Sequence, residues 1–157
     1  MPQNDFLIAN ARDFIGQELA LSDWITIDQH HVNAFGAATR HTHWMHCDPE
    51  RAKAEGPYGG ALVHGFMYAS LINHAIDLCQ LRPEDSAFAL NYGLDKLRII
   101  APVVVGDGIR VRDRIVLMEV TDREDGCLTK TSHTFEVEGK SKPAAYAEYL
   151  SLWVPNR

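Results

Sequence analysis

The sequence lacks the features that would assign it to a membrane, secreted or disulfide-bonded class. Its 157 residues include three cysteines, Cys47, Cys79 and Cys127, which are widely spaced and form no CxxC pair. Such a set is typical of free thiols in a reducing compartment. No apolar run approaches the roughly 20 residues needed to cross a membrane, and the first residues carry no signal pattern. We therefore expect a cytoplasmic protein with no membrane partner.

Basic residues are also scarce, since 15 lysines and arginines face 21 aspartates and glutamates, for a net charge of −6. Nucleic-acid binding requires a basic face, so we expect no nucleic-acid partner. Arg110, Arg112 and Arg114 alternate along a predicted strand and so share one of its faces. Two interpretations are open for this face: a solvated surface, or a landing site for the phosphates of an acyl carrier such as coenzyme A.

Three common catalytic motifs are missing as well. The chain contains no GxSxG, GxGxxG or GxxxxGK sequence, so neither a serine-hydrolase nucleophile nor a phosphate-binding glycine loop is visible. Cys47 stands next to His46, but adjacent residues seldom orient their side chains together, and we discount a Cys/His nucleophilic pair.

What the chain does contain is one long apolar helix and several long strands. Residues 65–81 are apolar around most of the helical circumference, which predicts a buried helix. Short turns join the strand-like segments, which predicts antiparallel hairpins, and the length suits a single domain over residues 1–157. We predict an α+β fold in which an antiparallel sheet wraps around that helix. The first half of the chain is also predicted to contain a short helix within 6–14, a strand at 17–21 followed by a short extended piece, and a helix at 29–39 capped by Asp28. A loop at 40–48, with room for one helical turn, leads to a short helix from Asp48-Pro49. Strands are predicted at 88–100, 108–119, 127–138 and 144–153.

The candidate chemistry is concentrated in residues 38–65. His41, His43 and His46 fall within six residues, and His64-Gly65 opens the long helix. Imidazoles titrate near neutrality, so two of them on one loop could bracket a water as acid and base. The alternative is a polar loop whose histidines only cap and hydrogen-bond. The free amides at a helix N-terminus suit an oxyanion, and the alternative for Gly65 is a structural glycine at a helix entry.

The same histidine spacing is compatible with a metal site. His41-x-His43-x-x-His46 could be completed by Cys47, Asp48 or His64, and zinc favours such nitrogen-rich sets. No second paired cluster accompanies it, so we expect no metal.

Several short motifs together resemble the MaoC-like dehydratase family, in its NodN-like branch, which shares the hot-dog fold with the (R)-specific enoyl-CoA hydratases. The similarity covers nearly the whole chain from Ile15 onward. It is carried by Phe35 through Thr39, Trp44-Met45-His46-Cys47-Asp48-Pro49-Glu50-Arg51-Ala52, Tyr58-Gly59-Gly60, Val63-His64-Gly65-Phe66, Asn91 through Arg98, and Ala101-Pro102-Val103.

The resemblance implies a hydro-lyase that reversibly adds water across the double bond of enoyl-CoA-type acyl thioesters. His46 matches the family's catalytic histidine, His41 stands where the family has its catalytic aspartate, and the Gly65 amide matches the oxyanion donor. The predicted substrate-binding residues are His43, Thr39, His64 and Tyr58. Coenzyme A is expected only as part of the substrate, and the implied assembly is a homodimer with the acyl tunnel at or near the interface.

Two alternatives to this activity remain open. A non-catalytic acyl-thioester-binding protein would bind the thioester tightly without turnover. A hot-dog thioesterase would release free thiol, and it usually has an acidic residue facing the thioester from the helix, whereas Asp77 stands too far along.

Overall fold

The computed structural model describes residues 6–156, and its elements follow the predicted order. Within this range no helix is both long enough and apolar enough to cross a membrane. The elements are a 3-10 helix (Ala11–Phe14), β1 (Glu18–Leu21), β2 (Ile25–Ile27), α1 (Gln29–Thr39), α2 (Trp44–Cys47), α3 (Pro49–Glu55), α4 (Gly65–Leu78), β3 (Ser86–Ile99), β4 (Ile109–Arg123), β5 (Gly126–Val137) and β6 (Ala145–Pro155).

The strands of the described range form one antiparallel sheet in the order β1-β4-β5-β6-β3, with β2 also paired to β4. The predicted hairpins β4–β5 and β5–β6 are confirmed. The hairpin expected between β3 and β4 is wrong, because β3 pairs with β6 and forms an edge of the sheet. The connection from β3 to β4 instead runs beside the segment before α4, where Val63 donates its amide to the Val103 carbonyl at 2.9 Å.

Helix α4 begins at Gly65 as predicted but ends at Leu78, before the predicted residue 81. Gln80 takes a left-handed backbone conformation with φ of 51°. The Leu81 amide then donates to the Ile76 carbonyl at 3.0 Å, and the Gln80 amide donates to the Asp77 carbonyl at 2.9 Å. This pair of bonds is a Schellman motif, which satisfies the last carbonyls of the helix and turns the chain away.

The prediction that α4 is buried on all sides is wrong for the single chain. Met67, Tyr68 and Ile72 are buried in the main core, but Phe66 is 73% exposed and Leu78 is 43% exposed. The sheet covers only one side of the helix, so the apolar residues on the other side are left in contact with solvent.

The helices before α4 are held in place by N-terminal caps and by two hydrogen bonds between separate segments. Asp28 caps α1 by accepting the His31 amide, and Asp48 caps α3. The Gln29 side chain donates to the His46 carbonyl at 2.7 Å. The Leu62 amide donates to the Met45 carbonyl at 2.8 Å. Helix α2 is therefore fixed from both sides despite its four residues.

The three arginines of β4 share the predicted face, and each has an acidic partner. Arg110 pairs with Glu138, Arg112 pairs with Glu136, and Arg114 also contacts Glu136. A phosphate would have to compete with carboxylates already in place. This pairing favours the interpretation as a solvated, ion-paired surface over a landing site for coenzyme A.

One histidine–aspartate pair lies in the core of the sheet. His133 donates from Nδ1 to the Asp113 carboxylate at 2.6 Å, and both side chains are fully buried. The Thr131 hydroxyl contacts the other ring nitrogen at 2.8 Å. Burial raises the pKa of Asp113, while the hydrogen bond from His133 opposes that change. The pair is therefore structural, because it satisfies both ring nitrogens of His133 and one carboxylate oxygen of Asp113, while Asp113 Oδ1 has no hydrogen-bond partner among the residues that the structure describes.

Candidate active site

Three histidines from three parts of the chain converge into what we call the imidazole cluster: His41, His46 and His64. His41 follows Arg40, whose left-handed backbone ends α1, while His46 lies in α2 and His64 immediately precedes α4. The ring centroids of His46 and His64 are stacked at 4.0 Å, and His41 lies 5.6 and 5.5 Å from them. One nitrogen of each ring lies within 4.8 Å of the others.

The orientation of His46 is fixed by the main chain. Its Nδ1 lies 2.8 Å from the Leu62 carbonyl oxygen. A carbonyl can only accept, so Nδ1 carries the hydrogen and the lone pair of the neutral ring sits on Nε2. His46 thus presents a defined acceptor, as a general base requires, and the same atom donates when the ring is protonated.

His64 forms the buried wall of the cluster. Its side chain is 3% exposed, and the Phe35 ring lies 5.2 Å from it. The pKa of His64 is lowered from 6.5 to about 4, mainly by burial and to a smaller extent by the proximity of His46 and His41. His64 therefore stays neutral near pH 7 and contributes no positive charge of its own.

Gly36 allows helix α1 to approach the cluster closely. A Cβ atom at this position would stand 2.7 Å from Cys47 Sγ and 3.3 Å from His64 Nε2. Any larger residue would push α1 away from the cluster. This role of Gly36 was not predicted from the sequence, although Gly36 lies on the same helical stripe as Val32 and Phe35, where a small residue between larger ones indicates close packing.

Cys47 faces His64 rather than its neighbour His46. Its Sγ lies 4.0 Å from His64 Nε2. Burial raises the pKa of the Cys47 thiol, so the group stays protonated and is a poor nucleophile. This geometry agrees with the expectation that Cys47 and His46 do not form a nucleophilic pair. The contact between Cys47 and His64 could not be predicted, because the two residues are 17 positions apart in the sequence.

The remaining predicted binding residues lie around the cluster. His43 is the N-cap of α2, where its ring accepts the Met45 amide at 3.3 Å, and it stacks 6.2 Å from His41 at the exposed rim. The Thr39 hydroxyl donates to the Phe35 carbonyl of its own helix at 2.8 Å. Tyr58 is 49% exposed in the turn before α4. Their roles in substrate binding stay predictions.

Gly65 places the first amide of α4 directly after His64. The first amides of a helix have no partner inside the helix and carry a partial positive charge. A Cβ atom at Gly65 would lie 2.9 Å from Ile99 Cγ1. This close packing against the edge strand β3 agrees with the alternative of a structural glycine at the helix entry, and the role of the Gly65 amide as an oxyanion donor stays a prediction.

The spacing of the cluster suits a bridging water. When two imidazole nitrogens each form a hydrogen bond of ordinary length to the same water, the two nitrogens lie about 4.6 Å apart. The nitrogens of the imidazole cluster lie within 4.8 Å of one another. The arrangement can hold a water between an acceptor and a donor, with a helix N-terminus adjacent for developing negative charge.

Comparisons with known proteins identify one family that matches most of this chain. The sequence profile described as MaoC like domain matches residues 10–137. Nodulation protein N of Rhizobium leguminosarum bv. viciae is 37% identical over 150 residues, which cover 95% of this chain and 92% of that protein. The 3-hydroxyacyl-thioester dehydratase Z of Mycobacterium tuberculosis (strain ATCC 25618 / H37Rv) is 41% identical over 148 residues, which cover 94% and 95% respectively.

Solved structures with the same architecture confirm the predicted hot-dog fold. The (R)-hydratase from A. caviae involved in PHA biosynthesis superposes with a TM-score of 0.64 at 22% identity, over 87% of this chain and 98% of that one. A MaoC-like dehydratase from Rhodospirillum rubrum superposes with a TM-score of 0.62 at 14% identity, over 90% and 100%.

Proposed function

The chain belongs to the MaoC-like dehydratase family, and from that premise we propose that it is a hydro-lyase acting on enoyl-CoA-type acyl thioesters. The observation that carries the proposal is the fixed orientation of His46, whose Nδ1 donates to the Leu62 carbonyl and whose Nε2 is left to accept. A relative at 41% identity that is named a 3-hydroxyacyl-thioester dehydratase supports the substrate class.

In the hydration direction, the water lies between His46 and His41, and the pair shares one proton. The neutral ring takes a proton from the water as its oxygen bonds to C3 of the enoyl group. The protonated ring gives its proton to C2. The net result adds hydroxyl to C3 and hydrogen to C2. His41 lies at the exposed edge of the cluster, so the pair regains its starting protonation by exchange with solvent.

Negative charge moves onto the thioester oxygen when the hydroxyl adds to C3. In the proposed complex this oxygen accepts from the Gly65 amide at the N-terminus of α4. A preorganised donor aimed at such a charge contributes on the order of 10²–10³ in rate. His43, Thr39, His64 and Tyr58 complete the proposed binding site around the thioester.

The proposed acid–base reaction uses side chains and water, with coenzyme A or an acyl carrier entering as part of the substrate. The odd number of cysteines, their wide spacing and the lack of a CxxC pair support a reducing, cytoplasmic location.

We also propose a homodimer, because β3 is a long edge strand with exposed apolar residues. Phe88, Leu90 and Tyr92 are each about half exposed, and Phe66 of α4 is exposed as well. A long apolar edge strand is an aggregation hazard unless another chain covers it. A second copy of this chain, which offers the same face, would pair the two edges and bury both sets of residues.

The experiment that tests the activity follows crotonyl-CoA and a medium-chain enoyl-CoA by loss of enoyl absorbance. We expect turnover by the wild type and a loss of about 10²–10⁴ in His46→Ala, the range typical of one acid–base group. Turnover by His46→Ala at the wild-type rate would contradict the proposal.

A second candidate, the non-catalytic thioester-binding protein, follows from the resemblance to the family, which implies that His41 stands at the family's aspartate position. His41→Asp separates the two candidates. Wild-type turnover that is lost in His41→Asp supports the histidine pair as the working site. A silent wild type that gains activity in His41→Asp supports the binding protein, and silence of both contradicts the proposed substrate class.

The thioesterase alternative is disfavoured by distance along α4. Asp77 lies in the last turn of the helix, and the rise of 1.5 Å per residue places it about 18 Å from Gly65. An acid at that end of the helix does not face a thioester bound at the other end.

A further inference from the structure

We propose that His41, His46 and His64 form a binding site for a divalent transition metal of the zinc class. The inference shares residues with the proposed reaction but does not depend on it. It rests on the convergence of three imidazoles from separate elements, each offering one nitrogen within 4.8 Å of the others.

The donor set and its spacing fit zinc. Three histidines with one open position form a known catalytic zinc set, and Zn–N distances of about 2.0–2.1 Å require nitrogens about 3.4 Å apart. Closing the cluster from its present spacing is a movement of an ångström or so. His41 is exposed, and its side chain can make that movement without disturbing the core.

The surroundings of His46 also match those of a metal ligand. Metal-bound histidines almost always donate their second ring nitrogen to a carboxylate, a carbonyl or a water, which fixes the ring and leaves the other nitrogen for the metal. His46 makes this contact with the Leu62 carbonyl at 2.8 Å. The ligand is therefore oriented before any metal arrives.

The three histidines of the cluster differ in their exposure to solvent. His64 is buried, His46 is half-buried and His41 is exposed. A metal held by the three rings would keep its fourth position toward solvent, where a water or an anionic ligand can bind. Occupancy also takes up the imidazole lone pairs that the proposed water addition needs, so metal and acid–base turnover should exclude each other.

The structural set differs from the set that linear spacing suggests. Sequence spacing groups His41 and His46 with His43, but His43 caps α2 and its ring lies 6.2 and 6.4 Å from theirs. His64 takes its place. This difference supplies a matched pair of variants, His41→Gln and His43→Gln, which change exposed histidines on the same loop.

The test is a titration of chelator-stripped protein with Co²⁺, followed by visible absorption, and with Zn²⁺, followed by calorimetry and elemental analysis after dialysis. We expect one equivalent per chain in the wild type and an unchanged equivalent in His43→Gln. We expect at least a hundredfold weaker binding in His41→Gln, because loss of a supporting contact alone costs roughly 10–100-fold. Circular dichroism of each variant confirms the fold.

Three outcomes would overturn the inference: no stoichiometric binding by the wild type, equal affinity in His41→Gln, or equal loss in His43→Gln. The titration contains no thioester, so its result is independent of the hydration assay. The hydration assay uses the chelator-stripped protein, so its failure together with intact one-to-one metal binding refutes the proposed function alone, and the reverse result refutes the metal site alone.

Discussion

The buried imidazole of His64 should make the protein sensitive to acid in a way that a single substitution removes. The pKa of His64 is about 4 in the folded chain, against 6.5 when the side chain is exposed. Between these values the unfolded chain binds a proton that the folded chain rejects. Stability therefore falls as the pH drops below about 6.5, and the loss is complete below about pH 4.

The magnitude follows from the difference between the two pKa values. Each pKa unit corresponds to 1.36 kcal/mol, so the difference amounts to roughly 3 kcal/mol, most of it already expressed near pH 4.5. That is a large part of the 5–15 kcal/mol that stabilises an ordinary domain. Other titrating groups add their own pH dependence, so the relevant quantity is the difference between the wild type and a variant that lacks the imidazole.

The measurement is urea unfolding of wild type, His64→Asn and the control His43→Asn, with a chelator present, from about pH 7.5 to about pH 4.5. His64→Asn is expected to be less stable at the higher pH and to regain roughly 2–3 kcal/mol relative to the wild type at the lower pH. His43→Asn should run parallel to the wild type. Parallel profiles for all three proteins would refute the assignment of acid sensitivity to His64.

Three further predictions concern packing and assembly. His133→Leu should lower the free energy of unfolding by about 3–5 kcal/mol in urea titrations, because it leaves Asp113 buried without its partner; a loss under about 1 kcal/mol would contradict the role of the pair. Gly36→Ala should cost about 1–3 kcal/mol in the same assay, since the added Cβ meets Cys47 Sγ at 2.7 Å, and unchanged stability would show that α1 moves freely. Leu90→Glu should shift sedimentation from dimer to monomer, and an unchanged coefficient would place the interface elsewhere.

Local rules predicted the elements of this fold well. The cap at Asp28 and the apolar stripe after it gave α1 its observed limits, Gln29–Thr39. The position of β3 escaped prediction, because a strand can pair with any neighbour of matching pattern and the choice depends on the whole sheet. The end of α4 also escaped, since Gln80 takes a left-handed conformation that sequence usually marks with glycine.

The candidate site divides in the same way. The sequence placed His41, His46 and His64 within residues 38–65, the segment predicted to carry the catalytic groups, and the structure brings the three side chains together. The support for His46 could not be predicted, because it comes from the Leu62 main-chain carbonyl, and every residue carries one. The presence of His64 in the cluster in place of His43 could not be predicted either, because it depends on the path of the chain after the turn at residues 56–60.

The close contact between Gly65 and Ile99 makes the substitutions that are accepted at these two distant positions depend on each other. A methyl group at position 65 would meet the Ile99 side chain at 2.9 Å, so a larger residue at the helix entry fits only if the Ile99 side chain shifts or a smaller residue replaces it. Relatives that carry alanine at the first position should therefore carry valine or alanine at the second. Recombination that exchanges only one half of such a chain would bring a mismatched pair together and displace the amide at the start of α4.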